Sequence, residues 1–208
     1  MNASNNRAGI GMLAAAILIL LAYHIPWIIN PGAGLTLNAP DLAEWTTLHP
    51  AEAPGIITLF TSLLLRLPLV ALAALLGVNS GRMWSSAWWI VAGLIVLLAA
   101  LAAPPLEFVT DARDNTNYQQ EFIVALAVII TGGFGLSGLM HRWRLPILVA
   151  VATTTIPAAL IGLSRAYSRM SNFYLPAQIG LGGIMTAGAF AVMAILAAGV
   201  MYKNRAAH

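Results

Sequence analysis

Arg66 lies in the run Leu63-Leu64-Leu65-Arg66-Leu67-Pro68, about midway along an apolar segment. A guanidinium at the middle of a bilayer costs at least ~2.5 kcal/mol even on lenient insertion scales, so such a residue is normally held by a specific partner. Its chemistry is that of an anion or carbonyl holder. No carboxylate falls inside the apolar segments as they are bounded below. The candidate partners are therefore carbonyls freed by Pro68, a bound anion, a lipid phosphate, or an acid on another subunit. Snorkelling to the headgroups is the alternative.

A second polar group inside an apolar segment is Thr153-Thr154-Thr155, just before Pro157. Proline frees the carbonyl four residues earlier, and threonine hydroxyls can satisfy backbone groups, which gives a softened kink. The functional reading is a polar pocket for a small solute or anion. With Arg66, these residues are the candidate ligand or partner contacts.

The histidines are His24, His49, His141 and His208. Intramembrane haem needs axial ligands, and no two of these face one another at mid-segment. Cysteine is absent, which removes disulfides, thiolate catalysis and iron–sulfur ligation. Asp41, Glu44, His49 and Glu52 form a conceivable metal set, but solvated acids on a loop are the simpler reading. Asp111 to Asn117 lacks the glycine and closing glutamate of a calcium loop. Neither a metal nor a cofactor is expected. Hydrolase, zinc-protease, Walker and dinucleotide motifs are missing, so no enzymatic activity is expected either.

The elements that carry these residues are written in the charge pattern. All seven acids fall within 41–52 and 107–121. Arg7, Arg82, Arg142, Arg144, Lys203 and Arg205 occupy the alternate gaps, while Arg113, Arg165 and Arg169 fall on the acidic side. Membrane chains keep Lys and Arg in short cytoplasmic loops, so both acidic stretches belong outside and both termini inside. Composition agrees, with 60% hydrophobic and 8% charged residues and a mean hydropathy of +0.83. A soluble domain carries about 25% charged residues. The net charge of +3 is split among short loops and gives no reason to invoke nucleic acid.

A helix crosses the hydrocarbon core with about 20 apolar residues. Residues 8–29, 55–78, 84–103, 122–140, 146–163 and 179–202 supply six such segments. The expected fold is therefore an all-α integral membrane bundle of about six helices, one domain over residues 1–208, in the cytoplasmic (inner) membrane. The first segment also fits a signal peptide, but its apolar character runs on through Trp27 and Ile29 without a small-x-small cleavage site, which favours an uncleaved helix. In the first outer loop, Asn38 and Asp41 followed by Glu44 read as a helix start, and Leu42, Trp45 and Leu48 give it an apolar edge. A short helix on the outer surface follows, with Trp45 at headgroup depth. Asp41, Glu44, Trp45, Asp111 and Asp114 are the outer-loop candidates for partner contact. Glycines at 132, 133, 135 and 138, and at 180, 182, 183 and 188, favour close helix packing over an unwound, ligand-lining helix.

Size and capping outer loops resemble, in architecture, the substrate-binding membrane subunits of energy-coupling-factor vitamin transporters. That resemblance implies a solute-binding or translocating protein. The residues favour another class, a non-catalytic subunit of a larger membrane assembly, such as a respiratory or photosynthetic electron-transfer complex or a multisubunit transporter. Arg66 with no partner in its own chain, the glycine-rich faces, two sizeable outer loops and the lack of any redox ligand or catalytic group support that preference. Membrane lipids and other integral subunits would be its neighbours.

Overall fold

A computed structural model of the chain describes residues 3–48, 56–80, 85–172 and 176–206. His49, Glu52, Arg82 and His208 lie outside the described residues, and the metal set built on His49 and Glu52 lies there with them.

The chain is almost wholly helical. Helix α1 (Ala3–His24) leads to a hairpin of two short strands, β1 (Ile28–Asn30) and β2 (Leu35–Leu37), and then to α2 (Ala39–Leu48). Helices α3 (Ile56–Asn79) and α4 (Ser86–Ala102) follow, then a single turn, α5 (Glu107–Thr110), and α6 (Thr116–Leu136). A 3-10 turn at His141–Trp143 opens into α7 (Arg144–Asn172). Strand β3 (Gln178–Ile179) and α8 (Leu181–Ala206) complete the chain. Helices α3, α6, the 3-10 turn with α7, and α8 are long and apolar enough to cross a membrane; α4 and the apolar part of α1, Ile10–His24, are shorter. Large apolar side chains cover the outside of the helices, with Ile10, Ile17, Leu21, Val96, Ile129, Ile130 and Ile195 all exposed. In water that exterior would be unstable; hydrocarbon suits it.

Helix α3 sits at the centre, packing on α1, α2, α4, α6 and α7, while α8 joins α1 to α7. Leu65, Leu72, Leu75, Val128, Leu148 and Phe190 fill the interior. Of the glycines expected to pack, Gly132, Gly135, Gly180, Gly182 and Gly183 do so, whereas an added Cβ on Gly133, Gly138 or Gly188 would meet nothing within 4 Å. A Cβ on Gly135 would stand 2.6 Å from the Val78 nitrogen, and one on Gly77 would strike the Gly132 carbonyl oxygen. Backbone against backbone cannot yield, so α3 and α6 approach as closely as they do only because neither carries a side chain there.

Several boundaries differ from those read in the sequence. Helix α1 stops at His24 because Ile25 precedes a proline, which disfavours helical geometry. Trp27 and Ile29 therefore leave the first helix. Ile28 pairs with Leu37 on one side and Ile179 on the other, giving a small antiparallel sheet in the order β2-β1-β3. Trp27 is fully buried and donates its indole N–H to Ala22 O at 3.1 Å, closing the end of α1. A Cβ on Gly182 would collide with that indole ring, so this glycine makes the seat for the tryptophan.

Helix α2 exists where expected. Asn38 Oδ1 accepts from the Asp41 backbone N–H at 3.0 Å, the N-cap bond that starts it. Its buried face is Ala39, Leu42, Ala43 and Thr46, with Trp45 half-buried, and it lies against α3. The sheet and α2 together cap one end of the bundle. The start of α1 and the end of α8 lie at the other.

Candidate functional site

At the cap end two polar helix faces meet. On α3, Ser62, Arg66 and Leu69 recur at i, i+4 and i+7. On α6, Asn117, Gln120 and Glu121 recur at i, i+3 and i+4, and these spacings put each set on one face. Asn115 fixes the second set by accepting from the backbone N–H groups of Asn117 and Tyr118, so that α6 starts at Thr116.

Arg66 joins the faces. Its Nη1 donates to Ser62 Oγ and Gln120 Oε1, each at 3.1 Å. Its Nη2 donates to Asn117 Oδ1 at 2.7 Å and to Glu121 Oε1 at 3.0 Å, the latter an ion pair. The arginine side chain is 6% exposed and the glutamate 19%. Asn117 Nδ2 also donates to Glu121 Oε1 at 3.0 Å, and Gln120 Nε2 reaches Leu59 O at 3.4 Å. From α2, Thr47 Oγ1 shares its one proton between Glu44 O at 2.7 Å and Asn117 Oδ1 at 3.2 Å, which brings the cap helix against the same cluster. Glu44 on α2 is within electrostatic reach of both Arg66 and Glu121.

This arrangement overturns the expectation that Arg66 has no acid partner in its own chain. The sequence reading began the fourth apolar segment at Phe122 and left Glu121 in a solvated loop. The helix instead begins at Thr116, which carries Glu121 into its second turn and level with Arg66. Arg66 stands three residues to the cap side of the middle of the Leu59–Asn79 span, about midway as the sequence placed it. The carbonyl freed by Pro68 is not what holds it.

Beside the pair is a cavity of about 90 Å³. Arg66 and Glu121 line it together with Tyr23, and Leu69 and Val124 lie one turn deeper. His24, Pro40 and Ala103, at the ends of α1, α2 and α4, form its rim. Tyr23 is buried and stands edge-on to His24, with ring centroids 5.6 Å apart. At about 30 Å³ of liquid volume per water, the chamber has room for about three waters or a solute of similar size.

The remaining sequence candidates are elsewhere. Thr153 and Thr154 are exposed and Thr155 is buried, on α7. Thr153 Oγ1 donates to Val149 O at 2.7 Å, Thr154 Oγ1 to Ala150 O at 2.8 Å and Thr155 Oγ1 to Val151 O at 2.7 Å. Each hydroxyl is spent on the turn before it, so none reaches the residue-153 carbonyl that Pro157 frees, and none lines the Arg66 chamber. Asp41, Asp111 and Asp114 are exposed; Asp111 ends α5. Arg169 crosses from α7 to hold α2, donating from Nη1 to Thr46 O at 2.8 Å.

Sequence reasoning missed Ser62, Asn117, Gln120, Glu121 and Tyr23. A legible signal existed for the three on α6: Asn115 is a capping residue, and the i, i+3, i+4 polar spacing beyond it is helical. No protein-family model, curated protein or solved structure matches the chain.

Proposed function

We propose that this chain is a polytopic membrane protein that binds a small polar solute in the chamber beside Arg66, and that it serves in the uptake or translocation of that solute. One observation carries the reading: a buried arginine–glutamate pair borders a cavity whose rim is made of helix ends. Ionisable groups at membrane depth are costly, and where they face a cavity they usually mark the path of a solute or ion. In this proposal six helices cross the membrane, α1 and α4 included. The cap end faces outward and both termini face the cytoplasm, because the acids gather at the cap and the basic loops at the other end. Helix α2 then lies at the outer surface.

The cysteine-free chain offers a direct test. Ala102→Cys, buried in the chamber wall, should react with a small charged thiol reagent added from outside, and Val128→Cys, in the core, should not. Modification of the chamber cysteine only from the cytoplasmic side would refute the orientation. No modification from either side, in folded protein, would refute the chamber.

Subunit membership in a larger membrane assembly, including an electron-transfer complex, is supported by a separate observation. An added Cβ on Gly93 of α4, Gly133 of α6, or Gly188 or Gly199 of α8 meets nothing within 4 Å. Outward small residues allow another helix to approach closely. Gly188→Leu with Gly199→Leu should then shift the native-gel size of the complex extracted from its own membrane. An unchanged size counts against this second reading.

A further inference from the structure

We infer that the chamber takes a small carboxylate-like anion together with one proton, the anion on Arg66 and the proton on Glu121. This rests on the chamber being a solute site and adds the solute's charge and its coupling.

Charge balance leads there. Arg66 and Glu121 sum to zero, and both border the same small, mostly apolar space, whose deeper wall is Leu69 and Val124. An anion entering alone would leave a net negative charge in a poorly solvated place, where uncompensated charge is strongly unfavourable. A cation alone would leave a net positive one. If the incoming anion is accompanied by a proton that adds to the Glu121 carboxylate, the Arg66–Glu121 pair becomes an Arg66–anion pair beside a neutral acid. The sum stays zero, and no bond other than the new O–H is made.

The geometry of the existing pair favours the exchange. Among the described residues, both hydrogen bonds that Glu121 receives arrive at Oε1, so it meets Arg66 at one point rather than with both oxygens. The other partners of the guanidinium, Ser62, Asn117 and Gln120, are neutral. A guanidinium is best satisfied by a planar anion engaging two N–H groups at once. Glu121 takes one N–H of Nη2, and among the described residues the Nε–H has no acceptor, so an anion displacing Glu121 has a second N–H to engage. Glu121 is also the more exposed member and so the one that can take a proton from the rim. Size limits the anion to about three to five non-hydrogen atoms, given ~30 Å³ per water. Formate and acetate are suitable probes.

The groups facing Glu121 are Tyr23 and His24 from α1, Glu44 from α2 and Arg66 from α3; the chamber residues of α4, Leu101 to Ala103, carry no charge. His24 and Glu44 are therefore the rival proton sites.

Calorimetric titration of the purified full chain with acetate, in two buffers of different ionisation enthalpy, measures protons taken up per anion bound. We expect close to one proton at alkaline pH, with the apparent Kd weakening about tenfold per pH unit. In Glu121→Gln the uptake and the slope should vanish while acetate still binds. In Arg66→Gln acetate affinity should fall about 100-fold. Should that variant fail to fold, Arg66→Lys keeps the charge but not the fork and should lose about tenfold. Acetate binding with uptake intact in Glu121→Gln overturns the inference, as does loss of uptake in His24→Gln or Glu44→Gln instead. Binding of the neutral isostere acetamide in place of acetate also overturns it and leaves the solute-site reading standing. No binding of acetate, formate or acetamide to folded protein refutes both.

Discussion

The Arg66–Glu121 pair allows a quantitative test by a double-mutant cycle with Arg66→Met and Glu121→Leu, both close to volume-conserving. Arg66→Met removes four hydrogen bonds at once. Asn117 Oδ1 retains its bond from Thr47, and Ser62 can turn its hydroxyl elsewhere, but Gln120 Oε1 and the Glu121 carboxylate lose their charged donor. Breaking a buried pair from one side costs about 3–5 kcal/mol. Glu121→Leu is milder. The guanidinium keeps three of its four acceptors, and the glutamate is 19% exposed, so less of its interaction is made in a dry place. About 3 kcal/mol is expected, the low end for leaving a buried charge without its counter-ion, because three neutral acceptors remain. The double variant removes both charges, and its loss should fall short of the sum by about 1–2 kcal/mol, within the range for residues in direct contact. Unfolding by graded sodium dodecyl sulfate in mixed micelles, followed by tryptophan fluorescence, provides the three differences. If they add to within about 0.5 kcal/mol, Arg66 and Glu121 do not act on each other, and both the site and the inferences built on it fall.

Three further outcomes follow from particular contacts. Gly135→Ala should cost about 1–3 kcal/mol by overpacking against α3, whereas Gly133→Ala, which meets nothing, should be neutral or gain up to about 1 kcal/mol of helix propensity; equal effects in the same unfolding assay would contradict the glycine seam. Asn38→Ala should lower stability by about 0.5–2 kcal/mol through loss of the α2 N-cap, with Asn38→Asp close to neutral, and a neutral alanine variant would show that α2 needs no cap. Thr153→Val with Thr154→Val should leave acetate binding unchanged, because those hydroxyls bond their own helix, and a loss of binding would move the site to α7.

Apolar run length located α3, α6, α7 and α8, the four helices long and apolar enough to cross a membrane, and the shorter apolar helices α1 and α4. It did not place their ends. Trp27 to Ile29 are as apolar as the helix before them, and only Pro26 told that the chain had left it. The β1–β3 pairing joins residues about 150 positions apart, and strands of two or three residues leave no periodicity to read. Glu121 was lost for the opposite reason. A polar helix start looks like a loop when hydropathy alone sets the boundary, although Asn115 carried the capping signal. The error mattered because it made Arg66 look unpaired, which was one of the supports for a subunit role. Thr153 to Thr155 drew attention as polar residues in an apolar helix, yet a threonine one turn after a carbonyl can satisfy itself locally. Arg66 cannot, since its reach and its five N–H groups exceed what one helix backbone offers.

That difference explains why the fold is built around Arg66. Holding a guanidinium away from water needs acceptors from more than one helix, and here α3 and α6 supply them while α2 braces Asn117 through Thr47. The same demand calls for a close α3–α6 approach, which Gly77, Gly132 and Gly135 permit further along the two helices. A purely structural pair would be expected to close its own space, as apolar residues of equal volume would do at least as well for stability. This one leaves a chamber of about 90 Å³ at its side, with the rim formed by helix ends rather than by a helix wall. An arrangement that retains both the cost of the charges and the room beside them is better suited to exchanging partners than to keeping one.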